Sequence, residues 1–162
     1  MNEGKIFEKC FKDSIPKDVY FMRLKDVFAG FGNTNRQSFT SNNPCDSIMY
    51  SYPRLFLLEF KSSKGTSFSF SNKIIKEHQI EDLQKASTYK GVISGFIFNY
   101  RKYPVTYFVE INKFIKFKNE CNKKSINKDD CEKIGVLIEQ RLKKVNYTYN
   151  IRKFIKDIEE GD

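Results

Sequence analysis

The chain has 162 residues, of which 40% are hydrophobic and 15% aromatic, enough to fill the core of about one domain and too apolar for a disordered tail. Its 29 Lys and Arg against 20 Asp and Glu leave a formal charge of +9, which favours a polyanionic partner such as nucleic acid or an anionic membrane surface. The longest apolar run, around residues 91–98, is far shorter than the roughly 18 residues a membrane span requires, so an intracellular, soluble protein is expected.

Asn2 is placed to cap a first helix over residues 4–13, with an apolar stripe of Ile6, Phe7, Cys10 and Phe11. Glu8 lies at the edge of that stripe, about 60° from Phe11 at roughly 100° per residue, and can lean toward whatever the helix packs on. Residues 19–25 read as a strand. Residues 26–43 follow, rich in Gly, Asn and Ser and carrying Phe28, Phe31 and Phe39; an irregular segment this long inside a small domain is usually functional or disordered. Two strand-like runs, 45–50 and 55–61, flank the turn signal Ser51, Tyr52, Pro53, Arg54 and predict a hairpin. The second run is apolar on both alternating faces, as an interior strand should be. A short strand, 66–70, and a helix, 76–89, with Ile80, Leu83 and Ala86 complete the order αβββα. Strands 92–100 and 105–111 come next, then a Lys/Asn-rich connector, 116–128, and helices near 129–144 and 149–160. With no repeat and no linker, residues 1–162 read as one domain.

A symmetric hairpin sets Tyr50 opposite Leu55, Ile48 opposite Leu57 and Asp46 opposite Glu59, with Lys61 two residues further along the same face. Two carboxylates facing each other on an otherwise apolar surface repel, and desolvation worsens the repulsion. A cation relieves it, either Lys61 in a structural salt bridge or a divalent metal held by both acids; spacing alone leaves both open. Phosphodiester hydrolysis gives the second alternative a use. Oxygen ligands suit Mg²⁺, which polarises a phosphoryl oxygen and makes hydroxide available near neutral pH, and Lys61 would orient the water and offset charge on the phosphate. Other chemistries fare worse. A Ser/His or Cys/His pair must use the single histidine, His78, which has no evident partner, and neither GxGxxG nor a P-loop pattern is present, so no nucleotide cofactor is expected. Cys10, Cys45, Cys121 and Cys131 contain no CxxC pair and read as reduced thiols.

Asn2, Gly4 and Glu8 in an N-x-G-x-x-x-E opening, Asp46, the E-x-K of Glu59 and Lys61, the helix start His78, Gln79, Ile80, Glu81, the aromatic strand Gly95 to Tyr100, and Lys124, Ser125, Ile126 occur in one order. In that order they resemble the RecU-type Holliday junction resolvases of the PD-(D/E)xK, restriction-endonuclease-like superfamily. The resemblance implies an α/β fold: an αβββαβ core with a mixed central sheet flanked by helices, a projecting loop or short stalk at 26–43, and C-terminal helices. It implies Mg²⁺ or Mn²⁺ on Asp46 and Glu59, a catalytic role for Lys61, and supporting places for Glu8 and Gln79 at the metal site. It also implies a homodimer acting on branched DNA, leaving 5′-phosphate and 3′-hydroxyl ends, in recombination and repair. In the stalk, Lys25 and Arg36 would meet phosphates, and Phe28, Phe31 and Phe39 would stack on splayed bases, with Lys64 as a further DNA contact. The chain departs from the family's pattern in a short stalk rich in Asn and Ser, and in Cys45, where the family tends to place threonine. The compact chain and short stalk lean toward a phage-encoded version working in the cytoplasm of a bacterial or infected cell. Two other readings are a related nuclease cutting duplex or other branched DNA, and a non-catalytic DNA-binding module; the last would be indifferent to loss of Asp46 or Glu59. A weaker one is a partner-binding protein using the C-terminal helices.

Overall fold

The structure is a computed structural model that describes residues 2–24 and 43–161. Lys25 and the expected stalk positions Phe28, Phe31, Arg36 and Phe39 lie outside the described residues. Helix α1 (Glu3–Asp13) is capped by Asn2, whose side chain accepts from the Gly4 amide at 3.0 Å. Strands β1 (Tyr20–Arg23), β2 (Ser47–Ser51) and β3 (Arg54–Ser63) follow, then β4 (Ser67–Ser69), α2 (Glu77–Ser87), β5 (Val92–Tyr100) and β6 (Val105–Glu110). With β4 set aside because it lies outside the central sheet, this is the αβββαβ order read from the sequence, and the elements agree with their expected positions to within a few residues.

The central sheet has the order β1-β2-β3-β5-β6-β8, where β8 is Val136–Leu137. Its pairings are antiparallel except β3 with β5, which run parallel because α2 carries the chain back across the sheet between them. Strand β3 is therefore interior, and alternation divides its side chains between two apolar layers. Phe56, Leu58 and Phe60 join Phe7, Phe11 and Phe154 on the face covered by α1 and the last helix, α5 (Ile151–Glu160). Leu57 joins Phe96, Phe98, Leu83 and Phe114 on the face covered by α2 and α3 (Ile111–Glu120).

The C-terminal third differs from its sequence reading. The expected connector 116–128 is largely structured: α3 runs to Glu120, and β7 (Ser125–Asn127) pairs with β4 in a small separate sheet. The lysines there are the solvent face of an amphipathic helix whose buried side is Ile111 and Phe114. The expected helix 129–144 stops early, as α4 (Lys128–Ile134). It ends at Gly135, where a Cβ would lie 2.6 Å from the Phe108 carbonyl oxygen and 2.8 Å from that of Cys131, so the chain passes against β6 and turns into β8. A hairpin follows, β9 (Gln140–Lys143) and β10 (Asn146–Tyr149). Its turn places Lys144 at φ 60°, a conformation that sequence normally marks with Gly or Asn. Among the described residues no helix is long and apolar enough to cross a membrane. The four cysteines are free thiols.

Candidate active site

The hairpin has the symmetric register, with Tyr50 opposite Leu55, Ile48 opposite Leu57 and Ser47 opposite Leu58. Carried one residue beyond the ladder, that register sets Asp46 across from Glu59. Asp46 lies just before β2, where its backbone carbonyl accepts from the Leu24 amide at 2.8 Å and its Oδ2 accepts from the Phe60 amide at 2.8 Å. The carboxylate is thus fixed by the main chain of β3 beside Glu59.

Glu59 is 3% exposed, which for a carboxyl group demands partners. Lys61, two residues along the same face, donates from Nζ to Glu59 Oε1 at 3.0 Å and to Gln79 Oε1 at 3.0 Å. Gln79 Nε2 in turn donates to Glu59 Oε1 at 2.5 Å, closing a three-membered ring of acid, ammonium and amide. Gln79 is the third residue of α2 and its Oε1 also accepts from the Lys76 amide at 3.2 Å, so the same oxygen caps the helix and holds the lysine. Ile80 and Leu83 anchor α2 in the apolar layer beneath. Burial, and next the charge of Asp46, push the Glu59 carboxyl up to about 7, against the opposing pull of Lys61. The neighbouring Cys45 thiol, buried and close to both acids, is pushed up to about 12, so it stays protonated and donates to the Ser47 carbonyl at 3.2 Å.

The other expected residues fall elsewhere. Glu8 Oε2 receives Arg23 Nε at 2.8 Å. Arg23 shares its face of β1 with Phe21, which packs on Phe11 of α1, so this pair belongs to the α1 side of the sheet, and Glu59, Lys61 and Gln79 to the α2 side. Lys64, 75% exposed, pairs with Glu3 Oε1 at 3.1 Å just past the end of β3. Sequence alone does not single out Arg23, and only the alternation of β1 points it toward Glu8. Among the described residues no group of three or more His, Cys, Asp or Glu converges to hold a metal ion. Asp46 and Glu59 are the pair that could: two hard oxygen donors in mutual repulsion are a donor set for a cation that keeps water and phosphate oxygens as its remaining ligands.

A mixed sheet flanked by helices, whose third strand carries E-x-K opposed by an aspartate just before the second, defines a mixed α/β protein with a paired-carboxylate site on its central strands. Within that class the family is specific. The family model described as RecU, Recombination protein U, matches residues 17–153, and the chain belongs to that family. Asp46, Glu59, Lys61 and Gln79 fall inside the matched stretch, and Glu8 precedes it. The chain is 37% identical to the SPbeta prophage-derived uncharacterized protein YotM of Bacillus subtilis (strain 168), over 97% of this chain and 87% of that protein. It is also similar to the solved structure of Hjc, a Holliday junction resolvase from Archaeoglobus fulgidus, with a TM-score of 0.49 and 16% identity over 83% of this chain and 92% of that one.

Proposed function

We propose that the chain is a single-domain, divalent-metal-dependent endonuclease that resolves four-way DNA junctions by phosphodiester hydrolysis in recombination and repair. The observation that carries this reading is the buried Glu59, ringed by Lys61 and Gln79 and facing Asp46, in a member of the recombination protein U family. A structural salt bridge would need only one acid for one lysine; a second carboxylate fixed alongside raises the energy of the metal-free site and gives a cation something to relieve.

Asp46 and Glu59 would hold Mg²⁺ or Mn²⁺. The bound ion would act as a Lewis acid on the scissile phosphate and lower the pKa of a water molecule. Lys61, with one donor left beyond those to Glu59 and Gln79, would orient the attacking water and meet negative charge developing on the phosphate. Gln79 would keep both Glu59 and Lys61 in place through its amide, while Glu8, held by Arg23 on the α1 side of the sheet, stands apart from that ring. Lys64 and, outside the described residues, Lys25, Phe28, Phe31, Arg36 and Phe39 would contact the branched DNA. Symmetric cutting of a four-way junction requires two such sites related by a two-fold axis, hence a homodimer, working in the cytoplasm where the DNA is.

The test incubates purified protein with a labelled mobile four-way junction and a matched linear duplex, in Mg²⁺ or EDTA, beside Glu59→Gln and Asp46→Asn. Paired nicks confined to the junction, lost in EDTA and in both variants, are expected. Equal cutting of the duplex would replace junction resolution by general DNA cleavage. Tight junction binding with no cleavage in Mg²⁺ or Mn²⁺ would leave a DNA-binding module.

A further inference from the structure

A cavity of about 530 Å³ opens on the α1 side of the sheet, where β3 and β5 end, between α1, the turn after β5 and strand β10. Its walls are of two kinds. Phe7, Tyr147 and Tyr149 supply aromatic surface, and Lys64, Arg101 and Lys102 supply three positive charges against the single acid Glu3. Glu3 bridges two of these cations, pairing with both Lys64 and Arg101.

The floor is a hydrogen-bonded relay across the sheet. Ser62 Oγ donates to Asn99 Oδ1 at 2.8 Å, Asn99 Nδ2 donates to Thr106 Oγ1 at 2.9 Å, and Thr106 Oγ1 donates to Gln140 Oε1 at 2.6 Å. The relay holds the Gln140 amide through its Oε1 and leaves its Nε2 without a partner among the described residues. That nitrogen and Arg101 Nε are the two buried side-chain polar atoms that find no hydrogen-bond partner among the described residues, and both residues line this cavity. Two orphaned buried donors each carry a desolvation penalty until an acceptor arrives. Both ask for oxygen or ring-nitrogen acceptors, and the surrounding charge asks for an anion.

We infer that this cavity binds an unpaired nucleotide of a DNA strand, its base against Tyr147 and the other aromatic walls with acceptor atoms toward Gln140 and Arg101, and its phosphates toward Lys64 and Lys102. A volume of this size suits one nucleotide; base stacking on an aromatic ring and cations along the backbone are how single strands are held without sequence preference. The placement follows from the fold. Lys61 faces the α2 side, the next residue, Ser62, begins the relay on the α1 side, and Lys64 stands at the cavity rim, so a strand rounding the end of β3 reaches both. The inference deepens the nuclease reading and rests on it for the identity of the ligand as branched DNA, where unpaired nucleotides occur at the crossover.

The experiment measures fluorescence anisotropy of a labelled oligothymidylate of roughly six nucleotides in EDTA, with thymidine monophosphate and a linear duplex of equal charge as competitors. Gln140→Met removes the orphaned donor at nearly constant shape, together with the acceptor for Thr106, and should weaken oligonucleotide binding about 5-fold or more. Lys102→Glu, at an exposed side chain, should weaken it several-fold and flatten its salt dependence, with an unchanged melting temperature as the check on folding. Neither should alter the thermal shift given by Mn²⁺, which reads Asp46 and Glu59. Failure of wild type to bind the oligonucleotide, or equal binding by wild type and both variants, would overturn the inference, as would displacement by thymidine monophosphate or duplex as effective as by unlabelled oligonucleotide. Junction cleavage followed in the same preparation separates the two ideas: cleavage without pocket-dependent binding removes the cavity's role alone, and pocket-dependent binding without metal-dependent cleavage removes the nuclease alone.

Discussion

Asp46→Asn should make the metal-free protein more stable, although it destroys the site. Glu59 titrates near 7 in the folded chain against an ordinary value of 4.5, so the unfolded chain loses its proton first as pH rises. Folding stability from this group is therefore complete below about pH 4.5, falls between there and about pH 7, and is flat above, a loss of about 3 kcal/mol. Burial is the larger cause and the charge of Asp46 the second. Neutralising Asp46 should return the smaller share, about 1 kcal/mol, which for a chain of this length raises Tm by roughly 2–4 °C. Asparagine keeps an oxygen for the Phe60 amide, so the backbone anchor survives. Differential scanning fluorimetry in EDTA should show the variant melting higher at pH 8 and level with wild type at pH 5. With Mn²⁺ in hundred-fold excess over its dissociation constant the order should reverse, because only wild type gains about 3 kcal/mol of binding linkage. A variant no more stable than wild type at pH 8 in EDTA would show that the two acids are not in conflict, and would remove the physical ground for a cation between them.

Lys61→Met should lower cleavage at least 100-fold and leave the Mn²⁺ thermal shift in place, read by junction cleavage and melting on one preparation. Gln79→Leu removes both an amide that caps α2 and the link between Glu59 and Lys61; a fall of roughly 10–100-fold in cleavage with about 1 kcal/mol of lost stability is expected from kinetics and urea unfolding. Gly95→Ala places a Cβ in contact with the Val109 carbonyl oxygen and 2.9 Å from the Phe108 ring, at the parallel centre of the sheet; about 3 kcal/mol or more of destabilisation, seen as a collapsed urea midpoint, is expected.

The site was more legible than the C-terminal third, for a physical reason. Asp46, Glu59 and Lys61 are tied by local geometry: one short turn fixes the hairpin register, and period-two alternation then puts all three on one face. Gln79 is different. Its place beside Glu59 depends on how α2 returns over the sheet, a long-range fact that no spacing in the chain encodes and that only the family resemblance of the residues around it implies. Beyond β6 local signals mislead. Ile134, Leu137, Ile138 and Leu142 are spaced as in a helix, yet the chain leaves the helix at Gly135, a residue that can pass this close to the carbonyls of Phe108 and Cys131 because it has no Cβ, and Leu142 is 56% exposed.

The break at Gly135 has a functional reach. A continuous helix over 129–144 would carry Gln140 as a helix residue, with no strand to lay it beside Thr106. Because the chain breaks, the Ile138 amide donates to the Thr106 carbonyl at 2.9 Å, and two residues later the Gln140 side chain meets the Thr106 hydroxyl. The relay from Ser62, and the orphaned amide at its end, exist only in that arrangement. The stretch where helical periodicity fails is therefore also the stretch that builds the cavity, as expected where a local preference yields to a tertiary demand.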